Sequence, residues 1–142
     1  MKNIILAEDD MDDCVLFQHA VKELIIQTKR SIAENGVALT ATLEKTVSPM
    51  PDVIFLDCNM SLNNDCEALI EIINTPRLKR IPIVTFSTTA SDDLVNKTYE
   101  HSADYYICKP SSFSLLIKVI ETVLAFIMWQ TAQTPKEKYL LK

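Results

Sequence analysis

The sequence has little glycine, no concentrated basic charge and no long uninterrupted apolar run. Gly36 is the only glycine among the 142 residues. The net charge of -5 argues against direct nucleic-acid binding, because contacts with a phosphate backbone need a basic surface. The most apolar segment, residues 113–129, is interrupted by Ser114, Lys118 and Glu121, which excludes a membrane span. We therefore expect neither nucleic acid nor a membrane as a partner.

The cysteines are scattered and form no paired motif. None belongs to a CxxC pair, and no histidine stands at ligand spacing from any of the four, Cys14, Cys58, Cys66 and Cys108. This pattern is typical of reduced, buried thiols rather than of a disulfide framework or a metal site. The N-terminus runs directly into an apolar stretch followed by acids, which is unlike a signal peptide. Together these features predict a cytoplasmic protein.

The length and composition fit one globular domain, because 48% of the residues are hydrophobic and 23% are charged. We assign residues 1–130 to this domain. Residues 131–142 are expected to be a loosely ordered tail, although three of them, Tyr139, Leu140 and Leu141, could dock against the domain.

The central stretch is PDVIFLDCNM, residues 51–60. Val53 to Leu56 form a short apolar run bounded by proline and polar residues, which is typical of a strand buried on both faces of a parallel sheet. Asp57 then places a carboxylate at the carboxyl end of this strand, where open α/β sheets form their ligand sites. The stretch therefore predicts a functional aspartate.

Apolar runs and helical patterns alternate along the whole chain. The segment 37–46 alternates as a strand would, and only topology favours a helix there, because parallel neighbours need a crossover connection. The result is a doubly wound α/β fold, a five-stranded parallel sheet with helices on both faces. Strands are predicted at 3–7, 28–34, 53–57, 81–87 and 104–108, and helices at 11–27, 37–46, 66–73, 91–101 and from residue 111 or 112 to 129.

Polar side chains follow these strands at their carboxyl ends. They are Glu8 and Asp9 after the first strand, Asp57 after the third, Ser87 after the fourth and Lys109 after the fifth. Because parallel strands end on one edge of the sheet, these side chains are expected to converge. Three carboxylates so close together would repel one another without a cation, and their oxygens favour Mg²⁺.

This set supports phosphoryl transfer to an aspartate. Asp57 would attack phosphorus, and the charge of the resulting aspartyl phosphate would be held by Mg²⁺, Lys109 and Ser87. Two further acids, Asp12 and Asp13, fall in the first turn of the first predicted helix. Their negative charge suits the positive end of the helix dipole, which gives them a structural explanation.

Four motifs, IILAEDD, PDVIFLDCNM, IPIVTFST and DYYICKP, resemble in sequence and order those of the receiver domain of two-component response regulators. The resemblance is to single-domain regulators of the chemotaxis and sporulation types in particular, and it covers residues 3–128. It implies a flavodoxin-like fold with strand order 2-1-3-4-5 and makes residues 1–130 a receiver domain.

The resemblance implies a role for each residue of the metal site. Asp57 would be the phosphoacceptor and a metal ligand. Asp9 would bind Mg²⁺ directly, Glu8 would act through water, and the backbone carbonyl of Asn59 would complete the protein ligands.

It also implies a switch and a control of the rate of phosphate loss. Ser87 would be the hydroxyl that moves toward the phosphoryl group, and Tyr106 the aromatic that rotates inward behind it. Lys109 would pair with the phosphorylated site. The side chain of Asn59 and Thr89 occupy the positions that tune dephosphorylation.

The implied partners are a histidine kinase or phosphotransfer protein and an unidentified downstream protein. The protein would not be an enzyme, apart from its own phosphorylation and dephosphorylation at Asp57. Its fourth helix, fifth strand and fifth helix would form the surface that changes. A homodimer through the last helix is also possible, because apolar residues extend beyond one face of it, at Ile117, Leu124, Met128 and Trp129.

Two alternatives stay open at this stage. Ser61 and Asp65 replace a proline and a glycine usual in the family, which keeps a degenerate receiver that binds partners without phosphorylation as an alternative. A phosphatase of the haloacid-dehalogenase type also forms an aspartyl phosphate, but it needs a second aspartate two residues after the first. Asn59 stands at that position here.

Overall fold

A parallel sheet forms the centre of the protein, and its strands alternate with helices along the chain. The computed structural model describes residues 2–45, 50–58, 67–89, 91–129 and 135–141. Within these ranges the elements are β1 (Lys2–Ala7), α1 (Met11–Lys22), β2 (Thr28–Ala33), α2 (Gly36–Lys45), β3 (Val53–Leu56), α3 (Glu67–Ile73), β4 (Ile83–Ser87), α4 (Asp92–Glu100), β5 (Tyr105–Cys108), α5 (Phe113–Trp129), a 3₁₀ turn (Lys136–Lys138) and β6 (Leu140–Leu141).

The strand order is β2-β1-β3-β4-β5-β6, and the described pairs are all parallel. This confirms the doubly wound fold and the order 2-1-3-4-5 of the first five strands. The sheet has one strand more than predicted, because β6 pairs with the outer edge of β5 and places Leu140 opposite Tyr106. The C-terminal segment, residues 135–141, thus docks against the sheet, the possibility that the sequence left open.

The helix α1 is shorter than predicted and ends at Lys22 rather than near residue 27. Its apolar spacing is correct, since Phe17 and Val21 are buried, and Leu24 is also buried just beyond the helix. The chain must turn there to begin β2 beside β1, and Lys2 N–H donates to the carbonyl of Gln27 (3.0 Å). Periodicity therefore identified the buried face but not the end of the helix.

The ambiguous segment after Gly36 is helical, as topology required. The side-chain oxygen of Asn35 accepts a hydrogen bond from Ala38 N–H (2.8 Å) and so caps the first turn of α2. Leu39 and Leu43 are fully buried one turn apart, whereas Val37 is 61% exposed. The alternation of Val37, Leu39, Ala41 and Leu43 resembled that of a strand, but only Leu39 and Leu43 of these four are buried.

The core fills both faces of the sheet. Under α1 and α5, the rings of Phe17, Phe55 and Phe86 pack edge to face with centroids 5.0 to 6.3 Å apart. Under α2, α3 and α4, the core includes Leu69 and Ile72. In the described part of the chain, no helix combines the length and hydropathy needed to cross a bilayer.

Candidate metal and phosphoacceptor site

Strand register brings two acids together at the carboxyl edge of the sheet. Ala7 at the end of β1 pairs with Leu56 at the end of β3, and Asp57 N–H donates to the Ala7 carbonyl (3.0 Å). Glu8 and Asp57 each follow the last paired residue of their strand. Parallel pairing alone therefore places these two side chains side by side.

Three carboxylates meet at this edge. One oxygen from each of Glu8, Asp9 and Asp57 lies within 4.8 Å of the others. Glu8 and Asp57 are buried, with 2% and 7% of their surface exposed, whereas Asp9 is exposed at the rim. Oε2 of Glu8 accepts a hydrogen bond from Asp9 N–H (3.2 Å). The cluster is thus open to solvent on one side and anchored on the other.

Lys109 inserts its ammonium into this cluster from the end of β5. Its Nζ contacts Glu8, lies 2.7 Å from Asp13 Oδ2 and lies 3.4 Å from Asp57 Oδ2. Only 9% of the lysine side chain is exposed, and its Nζ lies 5.1 Å from the centroid of the Phe86 ring. One buried cation therefore neutralises part of the negative charge of three carboxylates.

The electrostatics of the cluster follow from burial and proximity. Burial acts to lower the pKa of Lys109, but hydrogen bonds to Asp13 and Glu8 and the charge of Asp57 outweigh it and raise this pKa above its ordinary value. Burial raises the pKa of Glu8; the Lys109 hydrogen bond opposes this rise, and Asp57 adds to it. Burial beside Asp57 thus outweighs the pairing with Lys109, and a further cation in the cluster would favour the charged form of Glu8.

This donor set fits Mg²⁺. All three groups offer hard carboxylate oxygens, one of them at the solvent rim, which leaves room for water and phosphate oxygens in the coordination sphere. The Lys109 ammonium and a divalent ion would both neutralise the negative charge of these carboxylates. Residues Glu8, Asp9 and Asp57 are therefore the side chains that would hold the ion.

Asp13 is a member of the site that the sequence did not identify. Its carboxylate pairs with Lys109, while its backbone N–H donates to the capping side chain of Asp10 (3.1 Å). In the sequence, the helix dipole was sufficient to explain an acid at this position, so Asp13 was not included among the candidate site residues. The usable signal was its place on the first turn of α1, directly beside the acids that follow β1.

The end of β4 and the residues that follow it form a second group around a buried tyrosine. Thr89 N–H donates to Ser87 Oγ (3.3 Å), and the Tyr106 hydroxyl donates to the Thr89 carbonyl (2.5 Å). Ser87 and Tyr106 are both fully buried. Burial raises the pKa of Tyr106 to about 12, against opposing hydrogen bonds to Ser87 and Thr89. The tyrosine thus remains a neutral donor that holds the loop after β4.

One predicted ligand cannot be placed. Asn59, with both its carbonyl and its side-chain role, lies outside the described residues, as do Ser61 and Asp65. Their roles stay predictions.

A doubly wound parallel sheet that gathers carboxylates and a lysine at its carboxyl edge defines a class of protein suited to hold a divalent cation beside a buried aspartate. The chain belongs to the response regulator receiver domain family, which it matches over residues 4–121. Members of this family act in two-component systems, bind Mg²⁺ in an acidic pocket, and interact with kinases or phosphotransfer proteins and with downstream targets. They are generally not enzymes in their own right.

The similar proteins are themselves response regulators. The chain is 33% identical over 129 residues to response regulator Rcp1 of Synechocystis sp., covering 88% of each sequence. The crystal structure of the phosphorylated cyanobacterial phytochrome response regulator RcpA matches with a TM-score of 0.81 and 29% identity, over 94% of this chain and 99% of that one. The Mn²⁺-bound form of Rcp1 matches with a TM-score of 0.79 and 31% identity, over 95% and 100% of the two chains.

Proposed function

We propose that this protein is a phosphorylation-controlled switch that accepts a phosphoryl group on Asp57 from a histidine kinase or a phosphotransfer protein. One observation carries the proposal. Asp57 is buried at the end of β3 beside two further carboxylates, and the Lys109 ammonium lies 3.4 Å from its Oδ2. Asp57 is thus a nucleophile surrounded by groups that can bind a phosphoryl group and a hard cation.

The transfer is a displacement at phosphorus. A carboxylate oxygen of Asp57 forms the new O–P bond while the P–N bond of a donor phosphohistidine breaks, and the departing imidazole keeps the electron pair. Lys109 balances the charge on the phosphoryl oxygens. Bound Mg²⁺ supplies further charge neutralisation and would be held by Glu8, Asp9 and Asp57, with the carbonyl of Asn59 as the predicted additional ligand.

The output of the switch would be a change of surface. Ser87 would move toward the phosphoryl group, and Tyr106 and Thr89, to which it is linked, would move with it. Thr89 and the side chain of Asn59 would set how fast the phosphoryl group is lost. We place the responding surface on α4, β5 and α5, with the cytoplasm as its location.

The helix α5 offers part of this surface to a downstream protein or a second copy of the chain. Leu115 and Phe126 are 56% and 47% exposed. Apolar side chains this exposed on one helix favour a protein partner over water.

The test is the intact mass of the purified protein after incubation with acetyl phosphate, with and without Mg²⁺. We expect one phosphoryl adduct that requires Mg²⁺ and is absent from Asp57→Asn. The matched control is Asp12→Asn, because Asp12 is an exposed acid in the first turn of α1. This variant should be phosphorylated as the wild type is.

The opposite result has a definite meaning. If the wild type binds Mg²⁺ but gains no phosphoryl group, the proposal fails, and a receiver that binds partners without phosphorylation becomes the better description.

A further inference from the structure

The C-terminal segment places a tyrosine in the interior of the protein. Tyr139 is fully buried, although residues 135–138 just before it are exposed. Its hydroxyl donates to Thr98 Oγ1 on α4 at 2.6 Å, and Thr98 is also fully buried. The side chain thus fills the space between α4 and the sheet.

Tyr139 packs directly on the buried tyrosine of β5. The ring centroids of Tyr139 and Tyr106 are 6.2 Å apart at an interplanar angle of 68°, an edge-to-face contact. Tyr106 N–H also donates to the Tyr139 carbonyl (3.0 Å). On its other side, the Tyr139 ring meets Tyr99 of α4 at 5.0 Å. The segment therefore holds Tyr106 by both its ring and its backbone.

These contacts continue to the loop at the candidate phosphorylation site. The Tyr106 hydroxyl donates to the Thr89 carbonyl, and Thr89 N–H donates to Ser87 Oγ. One continuous series of contacts therefore runs from the C-terminal segment to the end of β4, through Tyr139, Tyr106, Thr89 and Ser87. A displacement of the Tyr106 ring would release the Thr89 carbonyl.

We propose that Tyr139 is a positioning residue for phosphorylation: it holds Tyr106 inward and thereby fixes Ser87 and Thr89 at the carboxyl end of β4, the strand that pairs with β3, which Asp57 follows. This inference rests on the proposed function and adds a residue to it. A contact that favours the inward position of Tyr106 also favours any ligand of Asp57 that requires that position. Without the Tyr139 ring, part of the binding free energy of such a ligand must go into moving Tyr106 inward, and its affinity falls.

The expected effect is a loss of affinity for a phosphoryl mimic. We expect beryllium fluoride, titrated in the presence of Mg²⁺ and followed by ¹⁹F NMR, to bind Tyr139→Leu about 3- to 10-fold more weakly than the wild type, the range given by one aromatic contact. Leucine keeps an apolar side chain in the groove but removes the ring edge and the hydroxyl. Tyr139→Phe keeps the ring on Tyr106 and should bind within about 2-fold of the wild type.

The matched control is Tyr105→Leu. Tyr105 is a buried tyrosine on the same strand, but it faces α5 and packs on Phe126 at 5.9 Å. Both leucine variants should unfold at lower urea concentration than the wild type. Only Tyr139→Leu should lose affinity for beryllium fluoride, because the Tyr139 ring packs on Tyr106, whereas the Tyr105 ring packs on Phe126 of α5.

A double-mutant cycle separates positioning from a general loss of stability. In a Tyr106→Leu background, Tyr139→Leu should have no further effect on beryllium fluoride affinity, because the residue through which it acts is gone. Wild-type affinity in Tyr139→Leu, or equal losses with and without Tyr106, would overturn the inference. A wild type that binds no beryllium fluoride and gains no phosphoryl group would instead overturn the proposed function, and the inference with it.

Discussion

Two regions of the protein bury polar groups and satisfy them in different ways. One is the carboxylate site, formed by Lys109 and the acids Glu8, Asp9, Asp13 and Asp57. The other is the tyrosine cluster, formed by Tyr99, Tyr106 and Tyr139. At the carboxylate site, Lys109 pairs with the acids that follow β1 and β3 and with an acid on α1, the farthest of them 101 residues away in sequence. In the tyrosine cluster, the hydroxyl of Tyr139 donates to a neutral threonine. The first region depends on charge and the second on shape and neutral hydrogen bonds.

The difference matters for what each region can do. A buried charge that loses its partner costs several kcal/mol, so the carboxylate site, with several acids around one lysine, is poised to take up a cation that restores the balance. A neutral hydrogen bond costs about 1 kcal/mol to lose, so the tyrosine cluster can shift without unfolding the domain. The charged region is suited to chemistry, and the neutral region to the transmission of a change in position.

The largest expected effect comes from removal of the lysine. Lys109→Met should lose about 3 to 5 kcal/mol of unfolding free energy without Mg²⁺, because Glu8 and Asp57 are then buried without their cation. Added Mg²⁺ should recover part of this loss, since the ion binds the same carboxylates. Urea denaturation with and without Mg²⁺ measures both effects.

The control for this prediction is Lys118→Met on the exposed surface of α5, which should change stability by less than about 0.5 kcal/mol. Equal losses in the two variants would show that burial of Lys109 among the acids does not stabilise the fold.

A smaller effect is expected at the opposite edge of the sheet, where the carboxylate of Asp104 is buried and accepts a backbone hydrogen bond. Burial raises the pKa of Asp104 from 3.8 to about 6, although a hydrogen bond from Ile83 N–H (2.9 Å) opposes the rise. The folded state therefore holds this proton more tightly than the unfolded chain. Its contribution to stability is complete below pH 3.8 and is lost as the pH rises through about 6.

The corresponding measurement is the stability difference between Asp104→Asn and the wild type. Because asparagine does not titrate, this difference should shift by about 1 to 2 kcal/mol in favour of the variant between pH 4 and pH 7. Asp52→Asn is the control, since Asp52 is exposed and also accepts a backbone N–H (2.7 Å, from Asn3). Parallel pH profiles for the two variants would argue against burial as the cause.

The smallest effect is expected in the tyrosine cluster. Tyr139→Phe removes the hydrogen bond to Thr98 and should cost about 1 kcal/mol. Adding Thr98→Val should cost less in this background than in the wild type, because the shared hydrogen bond is already lost. Urea denaturation of the four proteins measures this coupling, and fully additive losses would refute it.

The carboxylate region was accessible to sequence reasoning because its residues carry a chemical signature at a topologically defined place. Glu8, Asp57 and Lys109 each follow an apolar run, and parallel pairing brings such positions to one edge. Asp13 was missed because the helix dipole already explained an acid at that position. The structure shows that its carboxylate faces Lys109 instead of serving the helix alone.

The tyrosine cluster carried no such signature. Tyr139 follows a polar segment without periodicity, and the sequence left its docking open. Its burial depends on the free edge of β5 and on the gap beside α4, and neither is a local property of residues 135–141. The end of α1 was misjudged for a related reason, because the turn that leads into β2 is imposed by strand pairing.

The sequence by itself determined the doubly wound fold, because burial on both faces of the sheet requires apolar runs and leaves polar groups only at strand ends. Its four motifs, by their resemblance to the receiver family, implied the family and the order of the first five strands. Only the tertiary structure decided which acids share Lys109 and what covers Tyr106. Those contacts join residues far apart in the chain, and their geometry depends on how helices and strands pack rather than on any local pattern.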